Sequence, residues 1–155
     1  LDQRGVAVHH DFQFAAAGRL DIVGEHPDES HPFSDWWQAI QEQRPIFCIA
    51  GQVLSPTLVT DVARAVALAG ERGLSGLYHV ANQEFFQRAD LARQFVQAAG
   101  SDMSVITRPI GEFRFDDQRP LKTHLDGTKF IAATNMRFTA MHDAMQRFLQ
   151  FAKGR

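Results

Sequence analysis

The feature that most constrains the fold is a repeated pattern. Helix-length apolar stripes stop at glycine or proline, and short runs of β-favouring residues lie between them. Phe33, Trp36, Trp37 and Ile40 fall at i, i+3, i+4 and i+7, one face of a helix that Ser30 or Ser34 can cap. Arg44-Pro45 ends it, because the residue before proline avoids helical dihedrals. Ile46 to Ala50 then reads as a short buried strand and Ser55 to Val59 as an extended segment. A second helix is expected from Thr60, as cap, to Ala69, with Val62, Ala63, Val66 and Ala67 inward and Gly70 and Gly73 ending it. Leu77 to Val80 reads as a strand. Gln87 to Ala99 reads as a helix with Leu91, Ala92, Phe95, Val96 and Ala99 on one face, stopped by Gly100.

The pattern continues with a strand at Met103–Ile106 and a polar loop over 111–124. A short helix near Thr128–Ala133 has Asp126 as its cap. The final helix, Thr139 to Ala152, turns Met141, Met145, Phe148 and Leu149 inward. Ahead of all this, residues 1–31 form an N-terminal segment of uncertain role. Short strands are conceivable at Val6–Val8 and Leu20–Val23, alternating phenylalanines stand at Phe12 and Phe14, and a loop runs from Gly24 to Pro32. Helices alternating with short strands predict a single α/β or α+β domain over 1–155, with a small mixed sheet and about four helices. At this length the chain can bury roughly 70% of its unfolded surface, and thirteen Phe and two Trp supply a core.

Charge and cysteine usage narrow the partners. Sixteen Lys+Arg against eighteen Asp+Glu give a net charge of -2, without the basic stripe of a nucleic-acid binder. No run of eighteen apolar residues and no secretory leader is legible, so a soluble, non-membrane protein is expected. The single cysteine, Cys48, cannot form an internal disulfide, which points to a reducing, cytoplasmic setting. In the run Ile46-Phe47-Cys48-Ile49 it reads as a buried small hydrophobe.

Several motifs could carry chemistry. Gly70-x-x-Gly73-x-x-Gly76 has the spacing of a dinucleotide cradle, but that cradle needs a strand before it and a helix opening after it. Here the predicted order is reversed, and the glycines read as a helix stop and a turn. The only tyrosine, Tyr78, is followed four residues later by Asn82, so no Tyr-x-x-x-Lys couple exists for proton transfer. Hydride transfer by that mechanism is therefore not expected of this chain alone. Adjacent His9 and His10 beside Asp11 would point to opposite faces of a strand, and no H-x-x-x-H spacing occurs, so no metal is predicted. No G-x-S-x-G elbow is present. Asp116-Asp117 could be an acid/base pair or solvated partners of Arg114 and Arg119. Arg108, Arg114, Arg119 and Lys122 suit the phosphates of an anionic ligand such as a nucleotide diphosphate. A merely charged loop is the equal alternative.

Five segments in order resemble the carboxy-terminal, substrate-binding part of the extended short-chain dehydrogenase/reductases of the dTDP-4-dehydrorhamnose reductase family. They are Phe33–Ile40 with Arg44-Pro45-Ile46, Gln52–Ala65 (Q-V-L-S-P-T-L-V-T-D-V-A-R-A), Gly76–Ala81, Ala89–Ala92, and Arg119–Asp126 with Lys129. The resemblance covers about 33–150. It departs from the family pattern at Gly51 (aspartate expected), Leu54 (glycine), Thr123 (serine) and Phe85-Phe86 (a small polar helix entry). The resemblance implies a sugar-nucleotide (dTDP-sugar-like) binding module in which Ser55, Pro56 and Thr57 shape the wall between domains. Arg114, Arg119 and Lys122 would lie near the substrate. No cofactor is expected in this chain, NAD(P) belonging to a separate Rossmann part where one exists. That part, or a second copy in a homo-oligomer, is the expected protein partner. The alternative is a non-enzymatic oligomerisation or interaction module that keeps the fold without the pocket.

Overall fold

The computed structural model describes residues 22–28, 30–115 and 120–154. The chain-order elements are β1 (Ile22–Val23), α1 (Pro32–Gln41), β2 (Ile46–Ile49), β3 (Val53–Leu54), β4 (Thr57–Leu58), α2 (Val59–Glu71), β5 (Phe86–Gln87), α3 (Arg88–Ala99), β6 (Val105–Arg108), α4 (Thr128–Thr134) and α5 (Met141–Lys153), with a 3-10 turn at Ile110–Glu112. Five α-helices among the described residues and mixed strand pairing bear out the α/β expectation. The sheet is distributed over three two-stranded ladders. β1–β4 and β2–β6 are parallel, and β3–β5 is antiparallel. Two-stranded ladders gain little alone, so helix packing carries the fold.

The main core lies where α1, α3 and α5 meet. Phe33, Phe95 and Phe148 are each 0% exposed, and Trp36 closes the cluster at 3%. Phe33 and Phe95 stack with centroids 5.2 Å apart, and Trp36 meets Phe95 edge-on at 5.7 Å. Cys48 is fully buried in the same cluster, and burial pushes its thiol up from its ordinary value. A smaller cluster joins α2 to α4 through Ala65, Ala69, Phe130 and Met136.

The apolar faces predicted for α1, α3 and α5 turn inward, although Trp37, Ile40 and Ala99 are only half-buried. Several details differ. α1 begins at Pro32 with His31 as N-cap. The Ser34 hydroxyl accepts the His31 N–H at 3.0 Å and donates to its carbonyl at 2.8 Å, so Ser34 serves from inside the first turn. α2 begins at Val59 after Leu58, so Thr60 is not its cap. Its buried face is Asp61, Ala65 and Ala69. Val62 is half-buried, while Ala63, Val66 and Ala67 are exposed. Alanine and valine surround this helix, leaving no stripe in the sequence to fix its rotation. Gly70 lies inside the helix, and the left-handed turn falls at Gly73, φ 59°. The strand predicted at Met103–Ile106 runs two residues later, and α5 starts at Met141 rather than Thr139. Residues 77–80 carry no ladder strand among the described residues. Strand expectations at 6–8 and 12–14 lie outside the described residues.

Asp126 accepts the Thr128 N–H at 2.9 Å, as expected of a helix cap, although Gly127 holds the N-cap position. The Thr128 side chain and N–H together hold the Asp126 carboxyl below its usual value. Gly127 has a role the sequence did not suggest. A Cβ there would lie 2.6 Å from the Ala81 carbonyl oxygen. Gly127→Ala must therefore displace backbone, and a loss of about 1–3 kcal/mol is expected in urea unfolding, as for other overpacked sites.

Candidate functional site

Three stretches distant in sequence meet at β3. On one side the Val53 N–H donates to the Leu121 carbonyl at 2.7 Å and the Thr123 N–H to the Val53 carbonyl at 3.0 Å, a parallel bridge that registers Lys122 against Val53. On the other side β5 pairs Val53 with Gln87 and Leu54 with Phe86. The Arg88 N–H donates to the Gln52 carbonyl at 2.9 Å, which extends that register by one pair. Residues paired across a strand share a face. Lys122, Val53 and Gln87 therefore occupy one face of this ribbon, and Gln52, Leu54, Phe86 and Arg88 the other.

The chain leaves β3 through Ser55-Pro56-Thr57, all buried. Their polar groups are engaged internally. The Ser55 hydroxyl donates to the Asn82 carbonyl, and the Asn82 N–H donates to Thr57 Oγ1 at 3.0 Å. Thr57 Oγ1 in turn donates to the Ser55 carbonyl at 3.3 Å. Asn82 continues the network, with Nδ2 to the Thr139 carbonyl at 2.9 Å and Oδ1 accepting the Glu84 N–H at 3.1 Å. Glu84 accepts the Met141 N–H at 2.6 Å, placing a carboxylate at the positive end of α5. Asp61 accepts the Thr139 N–H at 2.6 Å. Ser55-Pro56-Thr57 is thus a buried segment whose hydroxyls already have partners.

The predicted cations are dispersed. Lys122 is exposed and registered against Val53, two residues before Ser55. Arg114 is exposed between Phe113 and Phe115, whose rings stack 6.1 Å apart. Arg108 ends β6, with its guanidinium 3.9 Å from the centre of the Phe47 ring and 3.8 Å from Glu112. Arg119, Asp116 and Asp117 lie outside the described residues, as do His9, His10 and Asp11. Among the described residues no three His, Cys, Asp or Glu side chains gather as a metal site.

Sequence reading gave no role to Asn82, Glu84 or Arg88, and Gln52 entered only as part of a motif. A signal did exist for Asn82 and Glu84, because Asn82-x-Glu84 carries an Asx-type turn between two elements. Gly70 lies in the last turn of α2 and Gly73 and Gly76 follow it, with no ladder strand or opening helix just after Gly76. A dinucleotide cradle lacks its context there. Lys129 does meet Tyr78, but Nζ lies 4.2 Å over the ring centre and donates to the Leu77 carbonyl at 2.7 Å.

Comparison with solved structures gives the fold. A dTDP-4-dehydrorhamnose reductase from Bacillus anthracis, solved with NADP, superposes with a TM-score of 0.73 at 19% identity, covering 84% of this chain and 46% of that one. A UDP-glucose 4-epimerase from Thermotoga maritima, solved with UDP-glucose, gives 0.70 at 17%, covering 86% and 44%. A dTDP-glucose 4,6-dehydratase from Bacillus anthracis, solved with NAD, gives 0.68 at 14%, covering 86% and 42%. The chain thus spans less than half the length of these enzymes. No curated protein sequence matches it. The profile of the RmlD substrate binding domain matches residues 33–153. With that match over most of its length and the shared fold, the chain belongs to the RmlD substrate binding domain family.

Proposed function

We infer that the chain is a sugar-nucleotide-binding module, the substrate-holding part of a reductase- or epimerase-type architecture, with dTDP-sugar-like ligands as its class. The observation that carries this reading is the registration of Lys122 against Val53, where β3 enters the Ser55-Pro56-Thr57 wall. A cation at the lip of a pre-organised wall suits a diphosphate. Lys122, Arg114 and Arg119 are assigned to the phosphates. Ser55, Pro56 and Thr57 act through shape and backbone, because the Ser55 hydroxyl is engaged with the Asn82 carbonyl and the Thr57 hydroxyl with the Asn82 N–H and the Ser55 carbonyl. NAD(P) chemistry is assigned to a separate Rossmann part, and the chain alone is expected to be non-catalytic.

Thermal unfolding with dTDP- and UDP-sugars tests this. A ligand at one hundred times its dissociation constant adds about 2.7 kcal/mol, a rise in Tm of about 5–10 °C for a domain of this size. Lys122→Ala should weaken binding roughly tenfold or more, the worth of one hydrogen bond to a charged group. The oligomerisation reading has its own support. Phe47 and Ile106 are paired across β2–β6, and each is about two-fifths exposed. A Tm that ignores every nucleotide but rises with protein concentration would favour that reading.

A further inference from the structure

The inner face of the β3–β5 ribbon holds the least satisfied polar groups among the described residues. Gln52 is 1% exposed, yet neither Oε1 nor Nε2 has a hydrogen-bond partner. Arg88, directly across the ladder, has a buried Nη1 that is equally unpartnered. The register brings the two side chains out on one side, with Cβ atoms about 5 Å apart. The Arg88 guanidinium lies 5.8 Å over the Trp36 ring and beside the Cys48 thiol. No carboxylate pairs with it among the described residues.

Arg88 is also the first residue of α3, a helix of 12 residues with no side-chain cap. The acid in that first turn, Asp90, is exposed and paired with Arg93 at 2.6 Å. The ladder therefore places an unpartnered amide and a half-buried cation in register at the first turn of α3. Each unmade hydrogen bond at such a buried site carries a desolvation cost.

We propose that Gln52 and Arg88, at the N-terminus of α3, form a binding site for a small hydrogen-phosphate ion. The unmatched inventory is two donors, Arg88 Nη1 and Gln52 Nε2, and one acceptor, Gln52 Oε1. Hydrogen phosphate offers anionic oxygens to the donors and a P–OH to the acceptor. Sulfate at neutral pH has no such hydrogen. It would leave the Gln52 oxygen facing another acceptor, so the site discriminates between two ions of nearly equal size. The deep burial of Gln52 favours the free ion. The site lies on the face of the ribbon opposite Lys122 and does not depend on the sugar-nucleotide reading.

The test compares Tm in inorganic phosphate and in sulfate at equal ionic strength and neutral pH. Phosphate should raise Tm by several degrees more than sulfate. Gln52→Leu and Arg88→Met should each abolish that difference. Gln52→Glu, which builds the missing anion into the chain, should raise Tm without phosphate and remove the response to it. A sugar phosphate run in parallel identifies the source. A response equal to that of inorganic phosphate means a monoester also enters, and no response means the free ion alone. Equal effects of phosphate and sulfate, or a phosphate response that survives Gln52→Leu and Arg88→Met, would overturn the proposal and leave a water-filled pair. Phosphorus NMR linewidths of inorganic phosphate, broadened by the parent chain and sharp with either variant, provide a readout independent of stability.

Discussion

Replacing Asp61 with alanine is expected to cost about 1.5–3 kcal/mol, the worth of a hydrogen bond to a buried charged group, because Arg64 across the ion pair is itself exposed. Asp61 sits in the first turn of α2 at 2% exposure. One carboxylate oxygen accepts the Thr139 N–H at 2.6 Å, and the other lies 3.2 Å from Arg64 Nη2. Arg64 also donates to the Arg137 carbonyl. The side chain thus ties the start of α2 to the segment leading into α5. Alanine would leave a half-buried N–H without an acceptor and remove the anchor of Arg64. Asp61→Asn keeps an acceptor and loses the charge, so about 1–2 kcal/mol is expected, because charge-assisted hydrogen bonds are roughly twice as strong as neutral ones. Urea unfolding should show lower midpoints with unchanged slopes. Equal stability of Asp61→Ala and the parent chain would remove Asp61 from the account of the fold.

Phe95→Ala should be more damaging, at about 3–5 kcal/mol. Phe95 is fully buried and touches three other aromatic rings, Phe33 at 5.2 Å, Trp36 at 5.7 Å and Phe148 at 5.7 Å. Those rings come from α1 and α5, so the cavity would open where all three helices meet. Aromatic contacts add about 0.5–1.5 kcal/mol each beyond area burial, and the neighbours are too interlocked to collapse fully. Phe85→Ala serves as the contrast. That ring is 54% exposed and, among the described residues, its one ring contact is His124, at 5.1 Å, so at most about 1 kcal/mol is expected. Both variants can be measured by urea or thermal unfolding, and a Phe95 effect no larger than that of Phe85 would mean the aromatic cluster is not the main core.

The helix faces show how far periodicity reaches. α1, α3 and α5 carry large apolar residues on one side and polar ones on the other, so only one rotation buries them. α2 offers Ala and Val on several sides, and its rotation is fixed by Asp61 reaching Thr139, a contact 78 residues away in sequence. Leu77 to Val80 has the composition of a strand, and the structure gives it a single bridge residue, Tyr78, rather than a ladder among the described residues. Ser55, Pro56 and Thr57 were legible as a motif, while the engagement of both hydroxyls depended on Asn82 arriving from another loop.

The sequence by itself determined the α/β class, three of the helix faces, the burial of Cys48 and the family, because these follow from local spacing and ordered motifs. Tertiary structure alone decided that Lys122 lies against Val53 while Gln52 and Arg88 share the opposite face. Strand register is set by long-range pairing, and which side chains share a face depends on where distant segments align.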